Sequence, residues 1–492
     1  MEGSLAERFL GSERTLWITS AWIGLLFLTT NLPWQLDDYD QAKPAFGAFE
    51  MVREGDWLYQ RTPLEFVAQK PPFLGWVAAI SYEVTRWWDL AWRLPSLLSA
   101  MAISILLLRA ASSAYGRTAG LISLGAFGLN LLSVRLATLV STDMLLALSI
   151  FLPGLLIWQK ISTGNGWASR DRWWFFGLLT VSLLIKGPIV YAFLLPGIAA
   201  FAWRAGADKV TNAWSGWWPW IGSLVVFLAW VTGGILFKAG FYDQVVMREF
   251  LGRFSGTVHR PQAVYFYLPH LLHKFAPWSV LMILLALGRR AGGRMREALR
   301  NMPADIFWLI CWSLGGLIVM SLVPSKRVDR IFPVVPPLCL LLGAQVGLGL
   351  TAEPMRRRVY QSSAAALLLA FLFATGYTLW KVVPGYLYHR QALATFSRAV
   401  RQEAALHHWR YEVVSSRDGT GTEGMLLYLQ KLHFIPLAKA VEQWNNDEME
   451  ALVIPENQLS SAMAALRQAN IAPLRSLKRK DLHGPTYVLV TR

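Results

Sequence analysis

Two carboxylates and several cations stand at the edges of long apolar runs, where charge is costly and usually put to use. Asp40 opens an amphipathic stretch that closes at Gly55-Asp56-Trp57. Asp143 opens an apolar run in Ser141-Thr142-Asp143-Met144. Lys70 precedes Pro71-Pro72, which hold its backbone extended. Lys186 lies between the apolar runs 181–185 and 188–192. A carboxylate can activate an acceptor hydroxyl or amine. Lysines bind phosphate as compact charges. The 248–278 stretch adds Arg248, Arg253, His259, Arg260, Tyr265 and Tyr267, a mixture suited to a sugar phosphate. Lys326 and Arg327 stand before a late apolar run. The chemistry these residues describe is work on an anionic lipid headgroup.

Each residue also has a plainer reading. Asp40 is a good helix N-cap, and Pro44 is tolerable in a first turn. Asp37 and Asp38 stand close enough to blur the assignment. Ser141 or Thr142 caps a helix as well as Asp143 does, and a hydroxyl is cheaper at a bilayer boundary. Lys70 reads equally as a solvated loop lysine, and Lys186 as a snorkelling one. Arg253, His259 and Tyr265, taken singly, read as interfacial residues. His259 has no Cys or His partner at metal-ligand spacing, so no zinc site is expected. There is no P-loop, GxGxxG or GxSxG elbow.

The elements that must position these residues are membrane helices. The chain has 492 residues, 54% hydrophobic and only 16% charged, where a soluble domain carries about a quarter. Mean hydropathy is +0.36. The 24 Trp cluster at the ends of apolar runs, as in Trp87-Trp88-Trp92 and Trp217-Trp218-Trp220. Eleven spans are expected: 16–32, 93–109, 118–135, 143–159, 173–186, 187–203, 217–237, 275–288, 305–323, 331–350 and 360–382. The first lacks an A-x-A-like cleavage site and reads as a retained signal-anchor. Cys311 and Cys339 fall inside apolar runs and imply no disulfide framework.

Between the first and second spans, Ala42, Ala45, Phe46, Phe49 and Val52 recur at helical spacing. Lys43, Glu50, Arg53 and Glu54 occupy the other face. This reads as a surface helix with its apolar side in lipid or protein. If the run 73–88 lies on the surface as well, six basic clusters fall on alternate loops and face the cytoplasm. They are Arg8/Arg14, Arg109/Arg117, Lys160/Arg170/Arg172, Arg204/Lys209, the five arginines of 289–300 and Arg356/Arg357/Arg358. Net charge is +16, and much of it sits in these short loops, so nucleic acid is not the expected partner. The same topology puts Asp40, Lys70, Asp143, Lys186, Lys326, Arg327 and Arg330 outside. Basic residues there oppose the usual bias, and an anionic ligand explains them. From Tyr386 the chain turns polar. Strands are expected at 411–415, 451–454 and 487–491, with helices between them including 423–432 and 458–469.

In chain order, Asp40 with Gly55-Asp56-Trp57, Lys70-Pro71-Pro72, Arg93-Leu94-Pro95-Ser96 and Thr142-Asp143-Met144-Leu145 form a recognisable series. Lys186-Gly187-Pro188, Arg253-Phe254, Pro277-Trp278 and Ser325-Lys326-Arg327 with Pro333 and Pro336-Pro337 continue it. Over about residues 30–345 the chain resembles the bacterial protein O-mannosyltransferase-like glycosyltransferases, including the aminoarabinose transferases that modify lipid A. The resemblance implies a C-type membrane glycosyltransferase fold of about 11–13 transmembrane helices, with an undecaprenyl- or other polyprenyl-phosphate sugar donor. It implies transfer on the outer face of the cytoplasmic membrane, usually with inversion. It puts Asp40 and Asp143 in the catalytic site and Lys70 near the donor phosphate. Lys186, Arg253, His259, Tyr265, Lys326 and Arg327 are the further donor-binding candidates. Relatives often have Glu where this chain has Gln41 and Gln69, so a divalent cation is harder to hold and no metal ligand is assigned.

The expected organisation is a transmembrane glycosyltransferase domain over 1–382, with 33–92 as its first outer loop. A soluble extracytoplasmic α/β domain follows over 383–492. The acceptor, whether lipid, glycan or protein, does not carry over from the resemblance. The rivals are a flippase of lipid-linked sugars and a polysaccharide polymerase or ligase. A transporter more often shows internal repeats and mid-span charges.

Overall fold

The computed structural model describes residues 4–31, 35–36, 39–205, 211–253, 261–290, 302–387, 392–416, 423–472 and 486–492. Every one of the eleven apolar runs falls on helix. Among the described residues, six helices are long and apolar enough to cross a membrane alone. They are Trp88–Tyr115, Asp143–Thr163, Thr211–Phe237, Ala304–Leu322, Val328–Leu350 and Met355–Gly385. Val264–Lys274 and Trp278–Gly288 add a seventh only if taken as one span bent by 97°. The remaining expected spans are short or interrupted, except Ser169–Lys186, which is long enough but carries Arg170, Asp171, Arg172 and Lys186. The 118–135 run breaks into Arg117–Gly128 and Leu131–Leu136, and the Asn130 side chain caps the second by accepting from the Ser133 amide. Gly187, at φ +73°, separates Ser169–Lys186 from Ile189–Ala205.

The helices meet around buried tryptophans, chiefly Trp278, Trp308 and Trp312. Helices Ile189–Ala205 and Ala304–Leu322 approach through glycine. A Cβ on Gly315 would stand 2.6 Å from the Gly197 nitrogen. Small residues permit this contact in a membrane, where close packing replaces the hydrophobic effect. The 73–88 run forms helix Phe73–Thr85, 13 residues long and ended by Arg86 in the left-handed region at φ +53°. At 1.5 Å per residue that is about 20 Å, short of a hydrocarbon core of about 30 Å.

The surface helix runs from Tyr39 to Glu54. Ala42, Ala45, Phe46 and Phe49 on it are fully buried, as the spacing predicts. Protein covers them. They share a core with Leu393 and Phe396 of helix Ala392–Leu406, Met425 and Leu426 of helix Glu423–Leu429, and Val413, Val453 and Leu489 of a sheet. One expectation fails here. Glu50, assigned to the polar face, is only 3% exposed, because the 55–67 segment turns back over it.

The sheet consists of β1 (Tyr411–Val413), β2 (Ala451–Pro455), β3 (Asn470–Ile471) and β4 (Tyr487–Thr491), in the order β1-β2-β4-β3. β1 pairs parallel with β2, and β4 pairs antiparallel with both β2 and β3. Strand alternation divides β2 between two cores. Ala451 and Val453 face the surface helix, while Leu452 and Ile454 pack with Trp444 and Ala462. β1, β2 and β4 match the expected strands. β3, of two residues, and the helix Leu437–Asn445 were not foreseen.

Candidate active site

The first turn of the Tyr39–Glu54 helix ties three distant segments together. Arg327 grips Asp40 with both terminal nitrogens, Nη2 to Oδ2 at 2.6 Å and Nη1 to Oδ1 at 3.2 Å. Gln41 Oε1 accepts from the Val140 amide at 3.4 Å, next to the turn that leads to Asp143. Lys43 Nζ donates to Gln69 Oε1 at 2.9 Å, beside Lys70. A helix presents residues three apart on one side, so Asp40 and Lys43 face the same way.

Neighbouring motifs hold those segments in place. Ser96, in Arg93-Leu94-Pro95-Ser96, donates to the Leu139 carbonyl at 2.7 Å. Arg330 donates to the Ser325 carbonyl at 2.7 Å and to its Oγ at 3.0 Å, fixing the turn that carries Lys326 and Arg327. Lys326 is buried and donates to the Gln262 carbonyl at 2.9 Å. That bond makes it a strut for the 261–263 segment, and burial lowers its ammonium pKa.

Asp143 begins helix Asp143–Thr163, and its amide donates to Ser141 Oγ at 3.4 Å. Ser141 Oγ thus takes the first helical amide, while the N-cap residue Thr142 makes no side-chain capping bond. Lys186, at the last position of helix Ser169–Lys186, donates to Asp143 Oδ1 at 2.6 Å. The Arg327 guanidinium is held above its ordinary range, first by the hydrogen bonds to Asp40, and Asp329 and Asp143 add to the effect. Asp40, Asp143, Lys186 and Arg327 thus form one neighbourhood. Lys70 sits with Glu249, on the π-helical turn Tyr242–Phe250. Tyr265, on the 3-10 turn Val264–Phe266, is 69% exposed. Arg253 ends the turn Leu251–Arg253, and its side chain lies outside the described residues, as does the whole of His259. Among the described residues no group of three or more His, Cys, Asp or Glu is placed to hold a metal ion.

The basic loops pair with other carboxylates. Arg356 pairs with Glu7, Arg117 with Glu13 and Lys160 with Asp171. Lys209, Arg294, Arg296 and Arg300 lie outside the described residues.

Comparison with solved structures decides the fold. The crystal structure of ArnT from Cupriavidus metallidurans bound to undecaprenyl phosphate superposes with a TM-score of 0.69 at 17% identity, covering 96% of this chain and 97% of that one. The apo form of the same protein agrees equally, with a TM-score of 0.69. The oligosaccharyltransferase of Archaeoglobus fulgidus reaches 0.54 at 9% identity, covering 92% of this chain and 69% of its own. The chain has the C-type glycosyltransferase fold.

Curated relatives carry the same resemblance in sequence. An undecaprenyl phosphate-alpha-4-amino-4-deoxy-L-arabinose arabinosyl transferase of Sodalis glossinidius is 26% identical over 372 residues, 70% of this chain. One from Pseudomonas aeruginosa is 27% identical over 190 residues, 38% of this chain. The match spans 62% of the first relative and 33% of the second. No protein-family model matches the chain. The expected likeness to aminoarabinose transferases is therefore found in both sequence and fold. Within this C-type fold, sequence reasoning missed Glu249 as the partner of Lys70. Its only signal was a carboxylate between Arg248 and Phe250 in an otherwise basic stretch. It also missed Lys43, whose bond to Gln69 sets the Lys70 loop against the surface helix.

Proposed function

We propose that the chain is an integral membrane glycosyltransferase. It moves a sugar from a polyprenyl-phosphate-linked donor to a lipid, glycan or protein acceptor on the outer face of the cytoplasmic membrane. The observation that carries this reading is the first turn of the Tyr39–Glu54 helix, which joins Asp40 to Arg327 and lies one hydrogen bond from the Lys70 loop. A carboxylate and two cations gathered about one helix turn are what transfer from a lipid phosphate needs. The printed activities of the curated relatives support the same substrate class.

In this reading Asp40 takes the proton from the acceptor hydroxyl or amine as that atom bonds to the anomeric carbon. The bond from the anomeric carbon to the phosphate oxygen breaks, and its electron pair leaves on the polyprenyl phosphate. Attack opposite the leaving group inverts the anomeric centre. Lys70 and Arg327 stabilise the charge that grows on the phosphate. Both are paired with carboxylates, Glu249 and Asp40, which an arriving phosphate replaces. Moving Arg327 to the phosphate would release its bidentate hold on Asp40, which then acts as a base. Asp143 with Lys186 fixes the turn on the far side.

Residues 1–382 form the transferase body, and 383–492 an extracytoplasmic cover that helps select the acceptor. The sharing of one core between the surface helix and the sheet supports that role. The test is reconstitution with a polyprenyl-phosphate sugar and a mixed acceptor pool. Free polyprenyl phosphate, with the sugar on another molecule, is the expected product. Sugar-lipid that crosses the bilayer intact replaces this reading with a flippase.

A further inference from the structure

A second site lies along the same helix. The 55–67 segment folds over the middle of helix Tyr39–Glu54 and, with His433, encloses a cavity of about 260 Å³. Glu50 lines it and is 3% exposed; the Arg61 backbone N–H approaches its carboxylate without completing a well-formed hydrogen bond, and no side chain bonds either oxygen. Thr62 Oγ1, in the same wall, is also buried without a partner. Glu54 and Glu65 add negative charge at the rim. Asp56 is already engaged, with Lys238 at 3.4 Å and Arg61 at 3.8 Å.

A buried carboxylate served by no more than one backbone N–H is expensive unless a cation joins it. A metal ion is poorly served, because the carboxylates are spread around the wall and form no ligand group. An ammonium asks less. It donates three hydrogen bonds from one nitrogen and needs acceptors only at its tip. We propose that this cavity binds a small organic cation through a primary ammonium group, with Glu50 as the buried counter-charge and Thr62 as a second acceptor. It lies ten residues along the helix from Asp40, about 15 Å away. Its test does not depend on sugar transfer.

The electrostatics give the binding a pH signature. Burial pushes the Glu50 carboxyl up to about 8, reinforced by Asp56 and Glu54 and opposed by Arg61. A cation favours the ionised carboxylate, so it expels the proton as it binds. For an amine that stays protonated over this range, such as putrescine, affinity therefore rises from pH 6 towards pH 8.

The experiment is calorimetric titration of the full chain in detergent. The probes are putrescine and glucosamine, with 1,4-butanediol and glucose as their uncharged counterparts. At least one amine is expected to bind, and its counterpart to bind about tenfold more weakly or less. Putrescine alone points to an aliphatic amine, and glucosamine alone to a sugar-borne one. Glu50→Gln should weaken the amine by about tenfold or more, without lowering the melting temperature of the free protein. Should that variant fail to fold, Thr62→Val and Glu54→Gln make the same comparison. The proposal is overturned if neither amine binds, if the neutral counterparts bind equally, if magnesium alone binds, or if the substitutions leave amine affinity unchanged.

Discussion

The two aspartates of the site stand in opposite settings. Asp143 and Lys186 meet at 2.6 Å with side chains 14% and 10% exposed. Asp40 and Arg327 also meet at 2.6 Å, with side chains 54% and 43% exposed. Equal distances conceal unequal consequences. Opening the enclosed pair leaves a bare charge at a membrane boundary, which costs several kcal/mol. Opening the exposed pair costs about 1 kcal/mol or less, because water takes the place of either partner. A base must lose its partner during the cycle, and a phosphate ligand must gain one. Only the Asp40–Arg327 pair does both cheaply. The enclosed pair suits a strut, joining the start of helix Asp143–Thr163 to the end of helix Ser169–Lys186.

Asp40→Asn tests the stronger half of this contrast. Asparagine keeps size and most hydrogen bonding and caps helices about as well as aspartate. Folding and donor binding should persist while turnover falls by about 10²–10⁴-fold. The measurement is transfer rate and donor affinity on purified protein. Near-normal turnover would make Asp143 the next candidate base and reverse the comparison.

Lys186→Met tests the other half. Removing the cation strands Asp143, and the protein should lose about 3–5 kcal/mol of stability. Denaturation in micelles reads this directly. Pairing the change with Asp143→Asn removes both charges and should restore most of the loss. If Lys186→Met leaves stability intact and abolishes donor binding, Lys186 is a phosphate ligand and the enclosed pair is no strut.

Lys70→Met lies between these cases, because Lys70 is 34% exposed and its partner Glu249 only 13%. Donor affinity should fall about tenfold, and transfer should slow as well, since phosphate charge grows as the glycosidic bond breaks. Slower transfer at unchanged affinity would confine Lys70 to the transition state.

The surface helix is legible in the sequence because its apolar residues repeat at one period over about three turns, and Ala42, Ala45, Phe46 and Phe49 are all buried. The strands 451–454 and 487–491 were legible for a similar reason, as short β-branched runs. What could not be read were contacts across long separations. Nothing near Asp40 announces Arg327, 287 positions away. The cover on the helix's apolar face was left between lipid and protein, since both present the same hydrophobic surface. Glu50 was misplaced because helical periodicity assigns a face without reporting what folds back over it. The interruption at Asn130 turned the expected span 118–135 into two shorter helices, which an average over hydropathy does not resolve.

The smallest effect is expected from metal removal, and the same comparison explains why. A divalent cation near Asp40 needs several oxygens free to turn towards it. Gln41 and Gln69 flank the exposed aspartate, and both amide oxygens are already in use. Gln41 accepts from the Val140 amide, and Gln69 from Lys43. These bonds hold the Asp143 turn and the Lys70 loop against the surface helix, so rotating either amide towards a metal would loosen the site it serves. Transfer should therefore survive exhaustive chelation unchanged, measured with the donor in excess. Gln69→Glu sharpens the point. A carboxylate there keeps the bond to Lys43 and adds an anionic oxygen, so chelator sensitivity appearing in this variant alone would show that the amide excludes the ion. Activity of the unaltered protein that disappears with chelator and returns with one divalent cation would overturn the prediction. It would mean that Asp40 leaves Arg327 for a metal rather than for a proton.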